Sequence, residues 1–395
     1  NNSQNQLANF NFQHNFKNKS QLSADVDLGR FRRTNKNNLM TTALVLTQNA
    51  QKPIGNLINE TGTTIDIQTF KADYSVALSK IWKMEMGVKH AEVNSINDIA
   101  LQTDDKGKLV LDPNLSSHFE YREQVNAGYV NLSGKLKNAD IQAGLRAEHT
   151  HSVGSLSVPN QTKTRDYLNW FPSFFIAKPI SPNQTLLFSY SYRIDRPNYQ
   201  KLNSARGFVD LYAYSQGNID LVPQYTHAVE LRYALKSGFF ASLAANYITD
   251  LTFDLNYVTE GNKVVRLTQN MGNSQGYVIT VGLPITVSKA WQAQASLLGF
   301  YNQFQFEYEG KKWNAKNVAA RLNFNNGFVL GSGWTAELNG CVNSPRVNTI
   351  MEIPWLSNVD AGVQKSVSQK MKLKLSLQNV FFTPIGKTVY NGVSS

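Results

Sequence analysis

Apolar and polar side chains alternate along most of the chain. Phe70, Ala72, Tyr74, Val76 and Leu78 are interleaved with Lys71, Asp73, Ser75 and Ser79. Ile141, Ala143, Leu145 and Ala147 are set against Gln142, Gly144, Arg146 and Glu148. Leu186, Phe188, Tyr190, Tyr192 and Ile194 are set against Ser189, Ser191, Arg193 and Asp195. The same period recurs around Val229–Leu235, Val318–Phe324 and Met371–Leu377. Successive strand side chains point to opposite faces, so each segment predicts a strand with one apolar and one polar face.

The runs are long. Several last about ten to fifteen residues, against a mode near 5–6 for strands in soluble sheets. A tilted strand needs about 9–11 residues to cross a bilayer. Tight breaks fall at Lys17–Lys19, Ser79–Lys80, Lys137–Asn138, Ser181–Asn183, Lys236–Gly238, Ser288–Ala290, Gly331–Gly333 and Ser368–Gln369. Between them lie polar, irregular stretches, read as long connections at Asn94–Ser117, Ser152–Arg165, Arg196–Val222 and Asn343–Pro354. Short turns at one end and long loops at the other is the arrangement of an outer-membrane barrel. Trp82, Trp291, Trp334 and Phe239 each follow a short turn by one or two positions. Aromatic rings favour the headgroup interface, so these four are expected to form a girdle at the short-turn side. The fold class is therefore all-β, a transmembrane antiparallel β-barrel.

Composition agrees with this reading. The 395 residues are 17% charged and 11% aromatic, with 17 Tyr and 21 Phe. Ordinary soluble domains are about 25% charged. No run of eighteen apolar residues occurs, which excludes membrane-spanning helices. The net charge of +11 comes from 39 scattered Lys and Arg. Without a dense basic cluster it predicts only a weak attraction for anions, and no nucleic-acid partner. Cys341 is the single cysteine, so internal disulfides and cysteine metal clusters are excluded.

Enzyme chemistry finds little support. His149 and His151 share one strand face, but Glu148 points to the other, so a polar pair is expected there rather than a metal site. Gly310-Lys311-Lys312 lacks the first glycine of a phosphate loop, and no G-x-S-x-G occurs. Asp104-Asp105-Lys106-Gly107 lacks the ligand spacing of a calcium loop. No catalytic residue, cofactor or metal is expected.

Eight short turns, each joining two strands, predict about sixteen strands. The first, Leu7–Phe16, runs toward a short turn, and the last, Lys370–Phe382, runs away from one. A barrel begins and ends at its short-turn side, so an odd number of strands is expected to be missing at each end, as in part of a longer polypeptide.

One block of sequence is specific. It reads Ser189-Tyr190-Ser191-Tyr192-Arg193-Ile194-Asp195-Arg196-Pro197-Asn198-Tyr199-Gln200-Lys201-Leu202-Asn203. After it comes Gly217-Asn218-Ile219-Asp220-Leu221-Val222-Pro223-Gln224-Tyr225-Thr226-His227, running into Glu230-Leu231-Arg232-Tyr233. The block closely resembles the TonB-dependent receptor family, of outer-membrane β-barrel type. Tyr167–Ser173, Gln142–Thr150 and Leu375–Phe381 resemble further strands of that family. Asp220 and Gln224 depart from its usual residues.

The resemblance implies a barrel of about 22 strands, of which residues 1–395 would supply part. It implies an N-terminal plug domain within the same polypeptide and a TonB box ahead of it, both outside this sequence. It implies a bacterial outer-membrane location, contact with outer-membrane lipids and lipopolysaccharide, and coupling to the TonB complex, with a surface lipoprotein as a further candidate partner. The function implied is capture of a scarce extracellular ligand and its admission to the periplasm. A passive porin-like channel and a structural barrel subunit of a larger outer-membrane assembly are the alternatives. From the residues themselves, Arg193, Asp195 and Arg196 fall at the outer end of a strand, and Arg193 and Asp195, two apart on the polar face, are expected to form a lumen-side ion pair that orders the loop beginning at Pro197. Tyr199, Arg206, Tyr212 and Tyr214 are the candidates for ligand contact, since Tyr and Arg are favoured contact residues.

Overall fold

The computed structural model describes residues 2–45, 50–105, 108–259, 263–308, 310–348, 351–380 and 389–390. The strands run β1 (Asn2–Asn15), β2 (Gln21–Val45), β3 (Ala50–Ala77), β4 (Trp82–Asp105), β5 (Lys108–Leu111), β6 (Ser117–Leu136), β7 (Ala139–Leu156), β8 (Gln161–Ser181) and β9 (Gln184–Asp195). A helical turn, α1 (Tyr199–Leu202), and a small hairpin, β10 (Arg206–Phe208) and β11 (Ala213–Gln216), follow. Then come β12 (Gln224–Leu235), β13 (Phe240–Val258), β14 (Val264–Thr286), β15 (Trp291–Tyr308), β16 (Lys311–Gly331) and β17 (Trp334–Asn343). The last are β18 (Arg346–Asn348), β19 (Met351–Ile353), β20 (Leu356–Ser366), β21 (Lys372–Leu377) and β22 (Val389–Tyr390).

Sixteen of these make one antiparallel wall, ordered β1-β2-β3-β4-β6-β7-β8-β9-β12-β13-β14-β15-β16-β17-β20-β21. The number equals that expected from the turns. Among the described residues, β1 and β21 each pair on one side only. β5 adds to β4, β11 runs parallel to β14, and β18, β19 and β22 form a separate small sheet.

The turns at one end are tight. In the two-residue turn between β16 and β17, Ser332 and Gly333 both take positive φ, 48° and 77°. Two-residue hairpins prefer this left-handed pair because its twist matches the strands. At the other end the strands run further than the polar sequence suggested. Asn94–Asp105 continues β4, and Ser152–Leu156 and Gln161–Arg165 continue β7 and β8 around a short turn. Much of Asn343–Pro354 is the β18–β19 hairpin. These stretches mix polar residues with buried apolar ones such as Ile99, Leu101 and Leu156, so alternation fades while backbone pairing persists. Among the described residues, only Arg196–Val222 remains a long connection of the expected kind. At the chain ends, the first strand begins at Asn2 rather than Leu7, and the expected last strand is shortened to Lys372–Leu377; Phe381 and Phe382 lie outside the described residues.

Register separates the two faces. One row across eight strands reads Ala143, Phe174, Tyr190, Val229, Ala245, Tyr277, Tyr301, Val318. The next row, on the opposite face, reads Gly144, Ser173, Ser191, Ala228, Asn246, Gly276, Asn302, Asn317. The first face is apolar yet open: Tyr277 is 53% and Val318 76% exposed. A contiguous apolar surface of this extent is stable against lipid rather than water. Trp82, Trp291 and Trp334 share the register of this outer face, and Trp291 Nε1 donates to Asn326 Oδ1 at 3.1 Å. Phe239 stands one residue before β13.

Candidate functional site

The wall curls, and the connection between β9 and β12 shows how far. Ala213 pairs with Val264 on β14, while Leu211, two residues earlier, packs against Gly55 on β3. Eight strand spacings separate β3 from β14, roughly 38 Å measured along the sheet. Two residues span only about 7 Å. The ends of β3 and β14 therefore face each other across a mouth, and Arg196–Val222 bridges it.

The local sequence accounts for the path. Pro197 has no N–H to continue the β9 ladder. Asn198 then caps α1, its Oδ1 accepting from Lys201 N at 2.9 Å. Asn203 Nδ2 donates to Asn97 Oδ1 on β4 at 2.9 Å, and Asn203 Oδ1 accepts from Ala205 N at 3.0 Å. Gly217 closes the loop on itself. Its N donates to Asn203 O at 3.0 Å and Asn218 N donates to Lys201 O at 2.7 Å. A side chain at position 217 would collide with those carbonyls.

Packing completes the fold-in. Leu202, Ala205, Ile219 and Leu221 are buried with Ile99, Phe119, Tyr121 and Leu156 of β4, β6 and β7. These wall positions lie on the inner face, so the connection folds into the barrel instead of standing in solvent. Its returning arm is held on both sides. Arg165 Nη2 donates to Ile219 O, Lys163 pairs with Asp220 at 2.7 Å, and Asn270 of β14 accepts from Val222 N at 2.9 Å. This arm lies beside a break in the wall, where the β8–β9 register ends at Ser173–Ser191. Aromatic rings gather there: Tyr192 stacks on His227 at 4.2 Å and lies 5.6 Å from Phe171.

The charge pair that anchors the connection is not the expected one. Arg193 and Asp195 do not bond to each other among the described residues; Asp195 accepts from Gln224 Nε2 at 3.2 Å. Arg196 carries the anchor. Its Nη2 lies 2.7 Å from Glu148 Oε2 and 2.8 Å from Thr150 Oγ1, and its Nε donates to the Tyr167 hydroxyl at 3.3 Å. The side chains of Arg196 and Glu148 are 19% and 11% exposed. Burial works against the charge on Arg196, but the Glu148 hydrogen bond and nearby Tyr167 outweigh it and hold the guanidinium above its ordinary range. Glu148 also pairs with Arg146, whose guanidinium lies over the Tyr129 ring. Two-residue spacing hid this network, because the partner sits 48 positions away.

A cavity of about 810 Å³ lies between the inward connection and the inner wall. Arg196–Gln200 form one side. The other is built by residues of β1, β2, β3, β4 and β6, including Asn5, Phe31, Arg33, Asn35, Thr61, Ile65 and Tyr121. Of the four candidate contacts, Tyr199 alone lines this space. Arg206 and Tyr214 pack on each other at 5.3 Å in the β10–β11 hairpin, and Tyr212 is exposed nearby. The Asn, Ser and Thr residues of β1–β3 went unnoticed in the sequence because hydroxyl and amide side chains also fill ordinary polar faces.

On the outer face, His149 Nε2 and His151 Nδ1 each lie 3.0 Å from the Asp166 carboxylate. Those two hydrogen bonds hold the Asp166 carboxyl below its ordinary range. Asp166 was the partner missing from the sequence reading. The pair is a cross-strand clip between β7 and β8, and the described residues hold no group of three or more side chains suited to a metal ion.

A family model decides the identification, matching residues 14–392 with the outer membrane protein beta-barrel family. The chain belongs to that family. Its place is the bacterial outer membrane, with the apolar row facing lipid. No curated protein matches the chain. Among solved structures it is similar to the ferric citrate transporter FecA, at 14% identity and TM-score 0.66, over 96% of this chain and 57% of that one. It is similar to the ferric-catecholate import receptor Fiu from E. coli K12, at 10% identity and TM-score 0.65, over 96% and 60%. It is also similar to the ferripyoverdine receptor of the Pseudomonas aeruginosa outer membrane, at 11% identity and TM-score 0.64, over 95% and 52%. These likenesses establish the fold that the family member shares with outer-membrane transport receptors. The chain spans a little over half the length of each.

Proposed function

We propose that this chain forms the wall and outer vestibule of a TonB-dependent importer. The observation that carries the reading is the inward connection Arg196–Val222. It narrows an open mouth to a partly open cavity of about 810 Å³, within the size of small-ligand sites. A passive pore is served by an unobstructed lumen, whereas a receptor needs a surface that closes around its ligand. Tyr199 is the proposed ligand contact among the four sequence candidates. Arg206, Tyr212 and Tyr214 belong to the hairpin that spans the mouth. Trp82, Trp291, Trp334 and Phe239 mark the short-turn interface of the bilayer, taken as periplasmic. The plug domain and the TonB-contacting segment are assigned to the rest of a longer polypeptide.

The test is fitness and uptake in cells carrying the full-length gene. Deleting the gene, deleting TonB and collapsing the proton gradient should remove uptake of the same nutrient. Uptake that survives loss of both TonB and the gradient would leave a passive channel or a structural subunit as the better reading.

A further inference from the structure

We propose that the short-turn rim of the barrel binds the headgroups of anionic phospholipids in the leaflet it meets. The inference is independent of what the barrel transports. Within three residues of the eight short turns stand twelve lysines and one carboxylate, Asp140. That difference equals the net charge of the whole chain, +11, so the remaining residues are balanced. The turns are scattered in sequence, from Lys17 to Lys370, and strand pairing gathers them along one rim. A charge that looks dilute along the chain is therefore concentrated in space.

The rim also sits at headgroup level. Lys365 Nζ lies over the Trp334 ring, 5.0 Å from its centroid, and donates to Ser332 O at 2.6 Å. An ammonium is thus held beside the aromatic girdle. Lys178 and Lys365 have the register of the outer face. Lys17, Lys137, Lys236 and Lys289 stand in the turns themselves and are exposed. None of these six has a carboxylate partner among the described residues. Beside them Leu78, Leu136 and Val287 are 54%, 56% and 51% exposed. Lysines interleaved with exposed apolar side chains fit a membrane surface better than a soluble acidic partner. At the opposite end, outward cations are matched instead: Arg30 by Asp66, Lys36 by Glu60 and Arg122 by Glu92. A headgroup with a phosphodiester and no ammonium complements the rim, whereas a zwitterionic headgroup brings a cation of its own.

The test is native mass spectrometry of the purified full-length protein in detergent. The probes are dioleoyl phosphatidylglycerol, dioleoyl phosphatidylcholine and hexaglutamate. Phosphatidylglycerol should bind about tenfold more tightly than phosphatidylcholine, the factor that one or two lysines near an anionic surface supply. In the combined variant Lys17→Gln/Lys137→Gln/Lys178→Gln/Lys236→Gln/Lys289→Gln/Lys365→Gln the preference should fall to about threefold or less. The corresponding Lys→Arg variant keeps the charge and should keep the preference, which separates loss of charge from loss of folding. Lys108→Gln/Lys263→Gln/Lys311→Gln/Lys312→Gln, at the opposite end, should also keep it. Equal affinity for the two lipids, an undiminished preference in the rim Gln variant, its loss in the Arg variant, or an equal loss in the opposite-end variant would overturn the proposal. Binding of hexaglutamate without a lipid preference would assign the rim to an acidic polymer and overturn it too.

Discussion

Arg196 Nη2 lies 2.7 Å from Glu148 Oε2, and this contact ties the first residue of the mouth-spanning connection to the inner face of β7. Both groups are largely buried; without Glu148 the Arg196 guanidinium would be left as an uncompensated charge, whereas Glu148 also pairs with Arg146. Removing one partner of such a pair typically costs about 3–5 kcal/mol. Glu148→Ala should therefore release Arg196–Val222 while the wall, held by backbone pairing, still assembles. Hydrogen exchange should rise across 196–222 and stay low in β12 and β13. Unchanged protection of the connection would show that its apolar packing alone holds it in.

Gly217 provides an independent probe of the same element. Gly217→Ala would place a methyl group against the carbonyls of Asn203 and Lys201. The two hydrogen bonds that close the loop should open, and limited proteolysis should cut near 203–217. Wild-type resistance in this variant would mean that the loop closes differently.

Opposite faces of β9 should respond oppositely to charge. Phe188 lies on the apolar outer face, so Phe188→Arg should cost roughly 2–4 kcal/mol if near the bilayer midplane. Ser189 faces inward and is paired with Glu230, so Ser189→Arg should be tolerated. Urea titration of folding into phosphatidylcholine vesicles measures both. A larger loss for Ser189→Arg would invert the assignment of the faces.

Sidedness can be read by labelling. In a Cys341→Ser background, Tyr212→Cys should react with an impermeant maleimide in intact cells, because the mouth faces outward. Ser332→Cys, in the turn between β16 and β17, should react only after the outer membrane is permeabilised. Labelling of Ser332→Cys in intact cells would reverse the orientation.

The sequence by itself determined the alternating part of the sixteen wall strands, their faces and that number. Alternation around Phe70, Leu186 and Met371 reports a local property, the two-residue period of a strand, and no distant partner is needed to read it. The turn residues at Gly331–Gly333 are local in the same sense. The sequence also held the specific block from Ser189 to Tyr233, but not what its residues do. Only the tertiary structure showed that Pro197, Asn198, Asn203 and Gly217 turn the chain inward, and that Leu202, Ile219 and Leu221 find Phe119 and Leu156 beneath them. It also replaced the expected Arg193–Asp195 pair with Arg196–Glu148, and gave His149 and His151 their Asp166. Most of these depend on contacts between residues on different strands or on the connection, brought together by strand pairing and by the curl of the wall. Side-chain spacing carries no information about such contacts, and neither does it reveal a cavity, which is the space several strands and one folded loop leave between them.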